Sequence, residues 1–211
     1  MEKKTIKLLS RIYLSFGILL LFLGFLFLSV SFYPSIWYSV NKEATQEDTE
    51  QIVALVTDVK PETQEEPKVI ELPPFDEKLP KQNILKIPSI GVNSEIVQNK
   101  DAYKGLLKGI WIVPDFGTPE ENEIPIIIAA HRFGYIEWTK EFRYKSSFYN
   151  LPKLRVGDKV QIIWNQRSYE YEVYKSEDNS QITDYEADLI LYTCRMYNAP
   201  TRVFRYLSRA N

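Results

Sequence analysis

Residues 154–177 read LRVGDKVQIIWNQRSYEYEVYKSE. Val160, Ile162 and Trp164 fall on every second position, and Tyr169, Tyr171 and Val173 do so again after them. A period of two belongs to a strand with one buried face. The turn between the two runs falls near Asn165 and Gln166, so the stretch reads as a hairpin.

Working outward, the same grammar recurs. NILKIPSIGVNSEIV (83–97) holds two short apolar runs split by Pro88 and Gly91. EIPIIIAAH (123–131) is a continuous apolar run of the kind a strand buried on both faces shows. DLILYTC (188–194) and TRVFRYLS (201–208) complete the set. No segment after residue 85 carries a long 3.6-residue period, although SSFYNLPKL (146–154) allows one helical turn or two. These runs predict an all-β barrel or sandwich over residues 83–211, with one or two short helices.

Upstream the chain changes twice. Residues 12–33, IYLSFGILLLFLGFLFLSVSFY, carry no charge. About 20 apolar residues in a helix cross a bilayer. Lys3, Lys4, Lys7 and Arg11 precede the run, and Tyr33, Trp37 and Tyr38 follow it. That asymmetry predicts residues 1–11 in the cytoplasm, a transmembrane helix at 12–33 and everything beyond it outside. A cleaved signal peptide fits less well, because YPSIWYSV offers no small-residue cleavage site. Residues 34–82 are acidic and proline-containing, and their composition buries too little apolar surface to fold alone. They read as an extracellular tether. Residues 44–58 allow one short helix, and the prolines of ELPPFDEKLP (71–80) leave room for part of the tether to lie back as a lid; the composition favours a plain linker.

Lysine and arginine number 26 against 28 acidic residues, a balance that asks for no nucleic acid. One cysteine excludes an internal disulfide, and one histidine excludes His-rich zinc sites. Walker-type glycine loops, CxxC pairs, GxSxG and HExxH are absent. What remains is a conjunction: His131 closes one apolar run, Cys194 closes another, and Arg202 opens a third. A lone cysteine is more often a small buried hydrophobe. Yet three strand ends can meet on one barrel rim. A thiolate, an imidazole to move its proton and a guanidinium to steady an oxyanion are sufficient for acyl transfer.

The string LILYTCRMYNAPTRVFRY (189–206) resembles the catalytic strand of sortases, with its Thr-Cys pair, variable loop and arginine. IPIIIAAHRF resembles the family's Gly-His-Arg strand, with Ala130 where glycine is usual. FYNLPKLRVGDKVQIIW, YEYEVYKSE and KIPSIGVNSEIV resemble further segments in the same order. The resemblance implies a closed eight-stranded barrel and assigns Cys194 as nucleophile, His131 as general acid/base and Arg202 as the substrate-positioning and oxyanion residue. Thr193 would line the site, with Arg205 as the weaker candidate for substrate binding. It further implies cleavage of an LPxTG-like sorting signal on secreted proteins through a thioacyl enzyme, and transfer to an amine of a cell-wall precursor or a pilin lysine. The setting would be a bacterial plasma membrane. A hydrolase using water instead of the amine, and an inactive barrel serving as a binding scaffold, are the alternatives. The connection DNSQITDYEADL (178–189) is shorter than sortases often have, which predicts a trimmed groove wall. No cofactor, metal or calcium requirement is expected.

Overall fold

The computed structural model describes residues 9, 11–27, 42–57, 71–121, 124–135, 137–196 and 199–210. The chain divides into two units, Met1–Lys42 and Glu43–Asn211. In the first, residues 11–27 form helix α1, exposed along its length. Among the described residues no helix is long and apolar enough to cross a membrane. The span expected at 12–33 lies partly outside the described residues.

The second unit opens with α2 (Lys42–Thr57) and then builds the barrel. The elements in order are β1 (Ile84–Ile87), β2 (Val92–Gln98), α3 (Ala102–Leu107), β3 (Ile110–Ile112), β4 (Ile126–Ala129), α4 (Lys140–Lys145), β5 (Lys159–Trp164), β6 (Arg167–Asn179), β7 (Leu189–Cys194) and β8 (Arg202–Arg209). Around the closed barrel the order is β1-β2-β3-β4-β7-β8-β6-β5. Pairing is antiparallel except at β2–β3 and β4–β7. Pro88–Ile90 and Leu151–Lys153 add single 3-10 turns.

The hairpin of residues 159–179 shows how sequence makes this closure. Asn165 and Gln166 take φ values of 48° and 56°, the left-handed conformation of a two-residue hairpin turn whose twist matches the strands. The return strand pairs with β5 over Arg167–Glu172 and with β8 from Tyr171 to Asn179, the second ladder being broken by a bulge between Val173 and Lys175. A bulge bends the strand, and that bend carries the sheet around the corner.

Two apolar clusters lie on opposite faces of the same strands. Inside the barrel sit Ile126, Ile128, Leu189, Leu191, Val203 and Leu207 with residues of β1, β2 and β5. Outside sit Ile127, Ala129, Ile190, Tyr192, Cys194, Phe204 and Tyr206. Because β4, β7 and β8 are covered on both sides, their sequences run apolar without alternation.

The cover is α2, in the part of the expected tether where residues 44–58 allow one short helix. Asp48, Thr49, Ile52 and Val56 are buried along one face of α2, whereas Glu47, Glu50 and Ala54 face solvent. Spacings of four residues place side chains on one helical stripe. Ile52 and Val56 join the outer cluster. Each such burial stabilises docking by roughly 1.5–3 kcal/mol. Residues 71–82 continue along the β5–β6 turn, where Asp76 N–H donates to the Gln166 carbonyl and Arg167 donates to that of Pro73. The tether is therefore partly structure, and half of that structure sits over the strand ends that carry the reactive side chains.

Candidate active site

Antiparallel register places Cys194 at the end of β7 directly opposite Arg202 at the start of β8. Opposed residues project from the same face of a sheet. On the other side β4 runs parallel to β7 with Ala129 level with Tyr192. Carried two residues further, that register puts His131 level with Cys194. Three neighbouring strands thus deliver a thiol, an imidazole and a guanidinium to one edge of the outer face. All three are buried, at 1%, 1% and 3% exposure.

Thr193 and Arg205 are not brought to this edge. Each falls on the odd positions that face the barrel interior. Thr193 Oγ1 donates to the Ala130 carbonyl at 2.7 Å, tying β7 to the backbone just before His131. The Arg205 guanidinium donates to the carbonyls of Leu154, Phe204 and Pro152 at 2.7, 2.7 and 3.0 Å. Both are internal fasteners, not groove-lining groups.

Arg202 is held from its own turn, donating through Nη1 to the carbonyls of Ala199 and Thr201. Its Nη2 donates to Gln51 Oε1 of α2 at 2.8 Å. Its Nε is buried with no hydrogen-bond partner among the described residues. His131 Nε2 lies 3.2 Å from Thr49 Oγ1 of α2. Between these two contacts, Tyr192 donates to the Ile52 carbonyl at 2.8 Å. One helix therefore caps base, guanidinium and nucleophile together.

The electrostatics follow from that cap. Burial pushes the Cys194 thiol up to about 12, helped by the Asp48 carboxylate of α2 and opposed by Arg202 and Arg132. Burial pulls His131 down to about 4. At neutral pH both groups are uncharged, so the covered site holds a thiol and not a thiolate.

On the outer face Trp111, Val113, Phe116, Tyr192, Phe204 and Tyr206 pack into one apolar cluster with Ile52 and Val56 of α2. Ile182, Ala187 and Tyr185 of the short 180–188 connection pack into the same cluster. Alongside the C-terminal half of α2 lies a cavity of about 430 Å³ beside Val53, Val56, Trp111 and Phe116. A larger concavity of about 740 Å³, bordered by Asn83, Ser94 and Lys108, includes none of the three reactive residues.

Sequence reasoning missed four contributors. Asp48, Thr49 and Gln51 lay in a segment read as linker, although Ile52 and Val56 at helical spacing mark an amphipathic face. Arg132, which donates to the carbonyl of Arg195 and so ties the residue after His131 to the residue after Cys194, was hidden by its ordinary look as a surface charge. Among the described residues no group of His, Cys, Asp and Glu is arranged to hold a metal.

The family model described as Sortase domain matches residues 85–211. No curated protein matches the chain. Among solved structures, sortase A from Corynebacterium diphtheriae in a lid mutant is similar with a TM-score of 0.52 at 17% identity, covering 82% of this chain and 95% of that one. Sortase C1 of the group B streptococcal (GBS) Pilus Island 1 is similar with a TM-score of 0.51 at 20% identity, covering 62% of this chain; the match spans 65% of that protein's length. Sortase C1 from Streptococcus agalactiae gives 0.50 at 19% identity, covering 64% of this chain and 70% of that one.

Proposed function

We propose, from the premise that this chain belongs to the sortase family, that it is a membrane-anchored cysteine transpeptidase acting on secreted proteins that carry an LPxTG-like sorting signal. The observation that carries this reading is the register itself: Cys194 opposite Arg202, with His131 at the end of the parallel neighbour. A barrel that only binds a partner needs none of these side chains at one edge.

The chemistry needs α2 withdrawn. Resolvation then removes the main force that raises the thiol, and it takes away the Asp48 carboxylate while Arg202 and Arg132 remain. The thiolate attacks the threonine carbonyl of the signal, forming the C–S bond. The oxyanion is met by Arg202, whose buried Nε is a donor waiting for an acceptor. His131, protonated in the open site, gives its proton to the departing amine as the C–N bond breaks. A thioester on Cys194 remains. The acceptor amine then attacks it, His131 takes a proton from nitrogen, and the thiolate leaves. The apolar cluster under α2 is suited to the leucine and proline of the signal.

The uncharged run 12–33, with four cations before it, supports a single-pass anchor in a bacterial plasma membrane with the barrel outside. The acceptor amine would then be a cell-wall precursor or a pilin lysine.

Full-length protein in lipid vesicles, given an LPxTG-like peptide and a primary amine, tests the reading. A peptide–amine product and a mass adduct on Cys194 are expected, with both lost in Cys194→Ala and His131→Ala. Adduct formation followed only by water release would make the protein a hydrolase. No adduct with any peptide of a sorting-signal library, α2 having been loosened, would sink the proposal.

A further inference from the structure

A point in the covered site is held between two groups of the barrel. The Thr49 hydroxyl lies 3.2 Å from His131 Nε2 and neighbours the Tyr135 hydroxyl closely enough to act on its titration. Tyr135 stands edge-on to the imidazole, with ring centroids 5.2 Å apart at 89°. Trp138 flanks the same imidazole at 6.2 Å. Gly134 sits at φ +73°, and a Cβ there would fall 2.0 Å from the Trp138 ring.

Once α2 leaves, the position of the Thr49 oxygen is open and still faced by an imidazole nitrogen and a phenol. An amine attacking a thioester must aim its lone pair at the carbonyl carbon, which leaves its N–H groups pointing elsewhere. One must reach His131, the base. Resting on the transpeptidase reading above, we infer that Tyr135 accepts the second N–H, so that Tyr135 is a catalytic residue of the transfer half-reaction and selects primary over secondary amines. In that step the N–C bond forms, the C–S bond breaks, one proton passes from nitrogen to His131 and then to the Cys194 thiolate, and Tyr135 keeps its own proton throughout. A secondary amine has a single N–H and serves His131 or Tyr135, not both. An acceptor left without its donor is the penalty that gives such sites their selectivity.

The test does not depend on the sorting signal. Full-length protein is acetylated on Cys194 with p-nitrophenyl acetate, the thioester is quantified from the mass of the Cys194 peptide, and its loss is followed with methylamine, with dimethylamine and without amine. Wild type is expected to favour methylamine, and Tyr135→Phe to lose about three- to tenfold of that preference, the worth of one hydrogen bond. Because Tyr135→Phe also removes a contact to α2, its acetylation should be as fast as wild type or faster, opposite in sign to the transfer defect. Thr49→Val loosens α2 while keeping Tyr135 and should retain the wild-type ratio. An unchanged ratio in Tyr135→Phe would overturn the inference, since a steric cause survives loss of the hydroxyl. So would an equal fall in Thr49→Val, which would trace the effect to the helix. A protein that acetylates and discriminates amines yet never accepts a sorting-signal peptide would fail the transpeptidase reading alone.

Discussion

Replacing Ile52 by alanine should turn the covered thiol into an accessible one. The Ile52 side chain is fully buried in the outer cluster. Truncation removes three carbons from that burial, worth about 2.4 kcal/mol at about 0.8 kcal/mol each. If that sum acts on docking of α2, the open fraction rises roughly 60-fold, at 1.36 kcal/mol per factor of ten. When the helix recloses faster than the thiol reacts, alkylation follows the open population, so the Cys194 rate should climb by the same factor until opening is nearly complete. The assay is the second-order rate of a small thiol reagent on full-length protein at constant pH, beside the melting temperature of the barrel. A rise of less than about threefold would refute the argument, because a net change of under about 0.7 kcal/mol would mean that Ile52 burial contributes little to docking. A large rise matched by an equal loss of barrel stability would refute it too, since the thiol would then be reached through global unfolding.

Three further outcomes follow from the geometry. His131 is held near 4 when covered and returns toward 6.5 when solvated, so the covered state contributes stability that is present above pH 6.5 and lost as pH falls toward 4; amide protection of α2, corrected for intrinsic exchange, should decline across that window in wild type and much less in His131→Gln. Arg205→Leu leaves the carbonyls of Leu154 and Pro152 without their donor and should cost at least about 2 kcal/mol in chemical denaturation, while the pH profile of Cys194 alkylation in the folded protein stays put; a shifted profile would return Arg205 to the active edge. Gly134→Ala, which drives a Cβ into Trp138 at a left-handed backbone, should loosen the wall around His131 and be visible as a changed tryptophan emission with Cys194 more reactive; unaltered emission would show that the loop adapts.

The barrel was legible because short strands with turn signals speak locally. Asn165–Gln166 and Pro88–Gly91 punctuate where the structure turns, and the runs ending in His131 and Cys194 became β4 and β7. β3 escaped notice because the three residues Ile110–Ile112 are too short to show a period. α3 and α4 are six residues each, set by caps at Asp101 and Thr139 and not by an apolar stripe. Cys194, His131 and Arg202 stand out at strand ends, but only the resemblance to sortases gives them roles. Arg205 and Thr193 were misjudged for a reason that a period of two already contains: neighbours in a strand face opposite ways, so Thr193 turns from the edge that Cys194 occupies, and Arg205 differs from Arg202 by an odd number. On strands buried on both faces, polarity does not reveal that parity. The helix over the site was weighed and ranked below a plain linker, because its worth lies in a surface fifty and more residues away that its own composition does not show.

That helix also covers apolar side chains of the barrel. Trp111, Phe116, Tyr192, Phe204 and Tyr206 are buried in the cluster that Ile52 and Val56 of the helix join, and withdrawing it would expose part of that cluster. Water-averse patches of that kind draw molecules together. Every treatment that switches the protein on by freeing the site should therefore also make it sticky, and the helix acts as a solubility device as much as a gate. For work at the bench, an unlidded variant will look most active at the dilutions where it has the fewest neighbours to meet.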